Sequence, residues 1–154
     1  MSESGIRAQI KSTLEAVPGI GAVHDYERYP RSLGDFFLAM TSGSPSRVNG
    51  WVIHRASASA ERVTLGRGGQ IERAHGFRIT GFYQLDDADG SEKDFQALLE
   101  AVFAAFTGDW YATAAWRADL LQVESVTVTS VDEKGADLYH IAECSLMVYE
   151  RTSA

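Results

Sequence analysis

The hydrophobic positions of this chain change period once, sharply, between His75 and Gly108. From His75 to Leu85 they alternate: Phe77, Ile79, Gly81, Tyr83 and Leu85 fall on one side, Arg78, Thr80, Phe82 and Gln84 on the other. A period of two with one mostly apolar side predicts a half-buried strand. Residues Asp86 to Gly90 break the pattern, and Ser91 is the expected N-cap of a helix, with Asp94 three residues on as a carboxylate version of the capping box. Phe95, Leu98, Leu99, Val102, Phe103 and Phe106 then recur at helical spacing as one wide apolar stripe, and Gly108 is the expected stop. So apolar a helix needs a flat apolar partner, which the preceding strand supplies.

The flanking segments extend that unit. A first helix opens at Ser4 or Gly5, carries Ile6, Ile10, Leu14 and Val17 on a narrow stripe, and ends at Pro18-Gly19. Val23 to Tyr29 reads as extended, stopped by Pro30. Phe36, Phe37, Leu38 and Met40 fit a short helix or an apolar strand, and periodicity leaves both open over so few residues. Ser42 to Gly50 reads as a turn-rich loop. Gly50 to Ala58 reads as a strand with Trp51, Ile53 and Arg55 opposed to Val52 and His54.

Ala56 to His75 is small, polar and glycine-containing, and the pattern predicts a long flexible hairpin loop there. Residues 109–122 read as irregular, with Trp110, Tyr111 and Trp116 packing onto the body or onto a neighbouring subunit. A terminal hairpin follows. Val126 and Val128 share a face in its first strand; Tyr139, Ile141, Ser145, Met147 and Tyr149 alternate with His140, Ala142, Cys144, Leu146 and Val148 in its second; Gly135 lies in the link. The last residues, 151–154, read as a frayed tail. The expected class is α+β: a mostly antiparallel β-sheet with two main α-helices packed on it, an α/β sandwich with a long β-hairpin loop. Without repeats or a linker, residues 1–154 are expected to form a single domain.

Charge narrows the partners. Fourteen basic against 21 acidic residues give −7, which argues against a domain built to grip phosphate backbones. The same charge suits a passage through which DNA slides without sticking, and equally an ordinary soluble protein. Against that background Arg62, Arg67 and Arg73 make the 56–75 segment the one locally basic region. Cys144 is the only cysteine, so an intrachain disulfide is impossible and synthesis in a reducing cytoplasm is expected. The polar N-terminus lacks the apolar core of a secretion signal, and no run approaches a membrane span.

Candidate chemistry is thin. His24, His54, His75 and His140 form no HxxxH or HExxH pattern; His140 and Cys144 would sit about 13 Å apart by strand rise, too far to share a metal. Ordinary strand and loop histidines are the simpler reading, as a small apolar core residue is for Cys144. Asp86, Asp87, Asp89 and Glu92 resemble part of a calcium loop, but the further ligands and the closing Glu are missing, and acids at a helix start suit the helix dipole. The glycine-rich 66–69 segment matches neither phosphate-binding pattern, and there is no GxSxG elbow. No catalytic residue, cofactor or metal is expected. Among the aromatics, base stacking conflicts with the acidic balance, whereas Trp, Tyr and Arg outside periodic elements suit either a core or a protein interface.

The layout resembles the tail terminator (tail-completion) proteins of long-tailed bacteriophages and related tail-like particles. The stretches that carry the likeness are Ile6 to Pro30, Gly50 to Arg55, His75 to Phe106 and Leu138 to Arg151, in order and nearly end to end. Val23 to Tyr29, the Gly50-Trp51 strand and the Ser91-Glu92 helix start with Phe95 behind it give it specificity. What the resemblance implies is a non-enzymatic assembly protein, a homo-hexameric ring at the head-proximal end of the virion tail, made in the host cytoplasm. It would stop tail-tube polymerisation and present a docking surface to the head–tail connector, with DNA passing through the lumen unbound. On that reading the interface candidates are Arg62, Arg67 and Arg73 toward tube or connector, and Trp110, Tyr111 and Trp116 toward a neighbouring subunit. A neck or minor tail component is the near alternative, and a small-molecule-binding or hydrolytic α+β domain the distant one.

Overall fold

The computed structural model describes residues 3–28, 33–43, 47–108, 110–111, 116–130 and 138–153. Helix α1 (Glu3–Glu15) forms where the stripe put it, with Ile6, Ile10 and Leu14 fully buried. On its outer side Arg7 donates to Glu3 at 2.7 Å and Lys11 pairs with Glu15 at 3.6 Å, each one turn apart. Strand β1 (Ala22–His24) is short: the chain bends at Asp25 and Tyr26 instead of running extended, and the expected stop at Tyr29-Pro30 lies outside the described residues. The ambiguous apolar segment is helix α2 (Leu33–Met40), followed by β2 (Thr41–Ser42). Then come β3 (Arg47–Arg62), β4 (Gln70–Gln84), α3 (Ser91–Ala105), β5 (Trp116–Ala118), β6 (Gln122–Ser130) and β7 (Leu138–Ser153).

These strands form one seven-stranded sheet in the order β1-β3-β4-β7-β5, with β2 also on β3 and β6 also on β7. It is mixed but mostly antiparallel, since only β1 runs parallel to its neighbour among the described pairs. The α+β class therefore holds, with three helices among the described residues rather than the two expected. Helices α1 and α3 share one face. There Trp51, Ile53, Phe77, Ile79, Ala142, Cys144, Leu146 and Val148 meet Phe95, Leu99, Val102 and the α1 stripe in one core. Trp51 crosses to Gly81 opposite it in register, and a Cβ on that glycine would stand 2.5 Å from the indole ring. The missing side chain is what lets the ring lie flat on the sheet.

Helix α2 lies on the other face. Met40, Val48 and Val52 form a second small core, with Phe36 edge-on to Phe82 at 5.3 Å. This is why the β3 pattern around Trp51 shows no clean polar side: both of its faces are covered there.

Several expectations need correcting at the ends of elements. Ser91 is not the N-cap of α3. Gly90 takes that position in the left-handed conformation (φ 67°), and Ser91, the first helical residue, turns its hydroxyl inward. There it accepts from the Asp86 backbone N–H at 2.8 Å and lies 3.0 Å from His140 Nε2, tying the 86–90 turn to β7. Phe103, expected in the core stripe, sits on its flank and is 36% exposed. The helix closes at Phe106, before Gly108, through the bond from the Phe106 N–H to the Phe103 carbonyl. Arg47 to Gly50, expected in a loop, begin β3; residues 44–46 of that stretch, and Gly135 in the final link, lie outside the described residues.

Residues 56–75 depart furthest from the sequence pattern. They are not a flexible loop but two paired strands, in register from Ser57↔Gly76 to Arg62↔Ile71, closed by a short turn over 63–69. Nor is the C-terminus frayed over 151–153: Arg151, Thr152 and Ser153 pair with Glu72, Ile71 and Gln70. The physical reason is the same in both places. These strand ends are solvated, so they carry no apolar alternation, and what holds them is the backbone ladder to a strand already fixed in the core.

Candidate functional site

Beyond Arg55, β3 leaves the core, and every side chain from Arg55 to Leu65 is exposed. With the Gln70–Ala74 end of β4 and the end of β7 it makes a projecting β-arm. Eight residues of β3 span about 26 Å of strand. At the tip, Gly66 and Gly68 adopt φ of 109° and 81°, which only glycine takes without strain, and the Gln70 N–H donates to Thr64 Oγ1 at 2.7 Å. Leu65 stands 95% exposed beside them, with Val63 at 44%. β1 and β2 cover β3 only as far as Val52, so the outer edge of the arm is unpaired among the described residues. Residues 56–60, Ala-Ser-Ala-Ser-Ala, give that edge small side chains, and the register shifts between Arg55 and Ser57 at its start.

The base of the arm is held by charge. Glu150 is buried with His75, its Oε1 3.1 Å from His75 Nε2 and 3.3 Å from an Arg73 nitrogen. On the opposite face Glu72 accepts from Arg117 and from Arg151, each at 3.0 Å, joining β4, β5 and β7. The Arg151 hydrogen bond, helped by that of Arg117, holds the Glu72 carboxyl below its usual range despite some desolvation. Arg117 also lies 3.9 Å over the Tyr149 ring, and the Tyr149 hydroxyl donates to Asp119 at 3.0 Å, which pushes that phenol up.

The expected interface residues thus divide. Arg62 and Arg67 belong to the exposed arm, whereas Arg73 is engaged at its base. Trp110 and Trp116 are buried within this one chain, at 8% and 5% exposure. Trp110 packs edge-on to Phe106 at 5.0 Å and to Tyr111 at 5.5 Å, and its carbonyl accepts from the Gln9 amide at 2.8 Å. Trp116 starts β5 opposite Glu150, so Arg73 and Trp116 flank the same buried carboxylate. Tyr111 is half-buried, and residues 112–115 of that stretch lie outside the described residues. Leu65 and the Glu72 cluster escaped sequence reasoning because neither a lone leucine among glycines nor charges far apart in sequence form a local pattern.

Among the described residues, two concave regions stand at opposite ends of the sheet. At the outer edge beyond β7, a groove of about 220 Å³ runs between α3 and β6, lined by Gln96, Leu99, Glu100, Phe103 and Val123. Val126 and Val128, 36% and 52% exposed, continue the apolar strip along β6. At the other end of the sheet a cleft of about 350 Å³ is lined by Arg47, Asn49, Tyr83, Asp86, Asp89 and Asp94 among others. Arg47 lies 3.9 Å from Asp89 there, and burial, then the nearby Asp94 charge, push the Tyr83 phenol up. Among the described residues no three His, Cys, Asp or Glu side chains converge as metal ligands. Cys144 is fully buried, and burial, with the Glu124 charge adding to it, pushes its thiol up to about 12.

No family model matches the chain, and no curated protein matches it. Among solved structures, a chain from the virion of a native gene transfer agent (GTA) particle is similar at 17% sequence identity and a TM-score of 0.45. That match covers 98% of this chain and 97% of that chain.

Proposed function

We infer that the chain is a non-enzymatic virion assembly protein that forms a ring on the end of a phage-type tail tube. The observation that carries this reading is the presence, on one chain, of two unlike exposed surfaces. One is the basic β-arm, with four arginines against two glutamates over residues 55–74; the other is the apolar strip along α3 and β6 at the far sheet edge. Unlike surfaces meet head to tail, and a head-to-tail contact closes into a ring when its rotation divides a full turn.

The tail-terminator resemblance supplies the rest: a six-fold ring at the head-proximal end of the tail. One face fits the last tube ring and the other meets the head–tail connector. A chain of −7 suits a lumen that lets DNA through without binding it. A neck or minor tail component would share the ring and differ only in what it touches.

The test replaces Arg62 to Ile71 by Asn-Gly, closing the hairpin between Glu61 and Glu72, which already face each other. The shortened protein should keep its fold by circular dichroism while particles made with it show overlong tails, as particles lacking the protein do. Tails of normal length in particles lacking the protein altogether would overturn the reading.

The cleft between Arg47 and Asp94 favours a second reading, a small-molecule-binding domain, since its volume falls in the usual ligand range. A compound that raises the melting temperature of the parent but not of Arg47→Ala would establish it.

A further inference from the structure

Leu65 is an apolar side chain presented 95% exposed at the end of a long arm, out of reach of the α3–β6 groove of its own chain. The groove between α3 and β6 is level with Cys144 of β7 through Val123, whereas the arm ends level with Ser153 through Gln70. Nine residues of β7 separate those rungs, about 30 Å of strand, so the tip cannot fold back into the groove of its own chain.

The two surfaces nevertheless match. The tip offers Leu65 and Val63 with Arg62 and Arg67 beside them; the groove offers Phe103 and Val123 with Glu100 on its rim. Apolar fits apolar, and the cations of the tip meet an acidic rim on a chain that is acidic as a whole. We propose that the arm tip of one copy docks in the α3–β6 groove of the next, with Leu65 as the anchor against Phe103 and Val123 and with Arg67 facing Glu100. This rests on the ring reading above and specifies its subunit contact. The arm then bridges neighbours, and its stiffness has a use: a paired strand holds the anchor at a fixed distance, where a flexible loop would have to lose that freedom on docking.

A head-to-tail contact has a signature in mixing experiments. Leu65→Asp spoils the tip and leaves the groove; Phe103→Asp spoils the groove and leaves the tip. Both sites are exposed enough for the charge to be solvated, and melting curves of the free variants check that each folds. In light scattering across a concentration series the parent should oligomerise and each variant alone should remain monomeric. Their equimolar mixture should stop at a one-to-one heterodimer, because one good contact forms and the other cannot. Arg67→Glu should weaken the oligomer at least tenfold, and Glu100→Arg in the same chain should restore it.

Variants that oligomerise like the parent would overturn this contact while leaving the ring reading standing. A mixture that stays monomeric, although the parent assembles, would overturn it as well. A parent that stays monomeric at every concentration would overturn the contact; overlong tails in particles lacking the protein would then still support the capping role by itself.

Discussion

The body of the sheet and the arm are made of the same three strands, β3, β4 and β7, yet different forces hold the two regions. In the body, Trp51, Phe77 and Leu146 are at most 1% exposed, so each strand is fixed by what its side chains bury. In the arm, β3 buries no side chain from Arg55 onward. It is held through the hydrogen-bond ladder to β4, β4 is held by β7, and the Glu150 and Glu72 clusters lock that triplet at its base. A strand can therefore be defined by its neighbour, and such a strand looks like a loop in its own sequence.

The contrast can be broken from the body side first, where the largest effect lies. Trp51→Ala removes a fully buried ring that packs on Gly81 and Phe95, and should cost about 3–5 kcal/mol, read as a large fall in the urea midpoint. An effect near zero would mean that the body does not depend on its core. At the junction, Glu150→Ala strips the buried His75 and the Arg73 guanidinium of their acceptor. It should cost about 2–3 kcal/mol. Hydrogen exchange should show faster opening in Gln70–Ala74 and Arg151–Ser153 than in the 77–83 segment; uniform loosening would break the distinction between body and arm.

A smaller effect is pH-dependent. Burial holds the His140 pKa below its ordinary value of 6.5, with the Glu92 charge opposing the shift. The unfolded chain therefore takes up this proton at a higher pH than the folded one. The stability that neutral His140 contributes is complete above the unfolded value, and it is lost as pH falls from there toward the lowered folded value. In His140→Gln the slope of stability between pH 7 and pH 5 should be shallower than in the parent; an equal slope would assign it to other groups.

The smallest effect belongs to the arm tip. Leu65→Ala should change stability by no more than about 0.5 kcal/mol, because the residue is 95% exposed. A clear loss of stability in the monomer would show that the tip packs on its own chain after all.

The candidate surfaces were legible in unequal parts. Arg62 and Arg67 stood out because they interrupt an acidic chain, and the structure leaves both on an exposed arm. Trp110 and Trp116 are aromatics outside any periodic run, a signal that does not separate an interface from a core; here the chain buries both itself. Phe103 has the spacing of a core residue, one turn from Leu99 and Phe106, but a helix wide in apolar residues has flanks that the sheet cannot reach. Leu65 carried no signal at all.

By itself the sequence determined the periodic part of the main core and the period of the elements that carry it. Ile6, Ile10 and Leu14, Phe77 and Ile79, Phe95 to Val102, and Ala142 to Val148 follow helical or strand spacing, and water excludes apolar side chains wherever the chain leads them. Tertiary structure alone decided where solvated backbone becomes strand, that α2 takes the opposite face, and that Arg73, Glu150 and Trp116 share a rung. Hydrogen-bond ladders and long-range charge pairs are specified by what lies across from a residue, and that neighbour is many positions away along the chain.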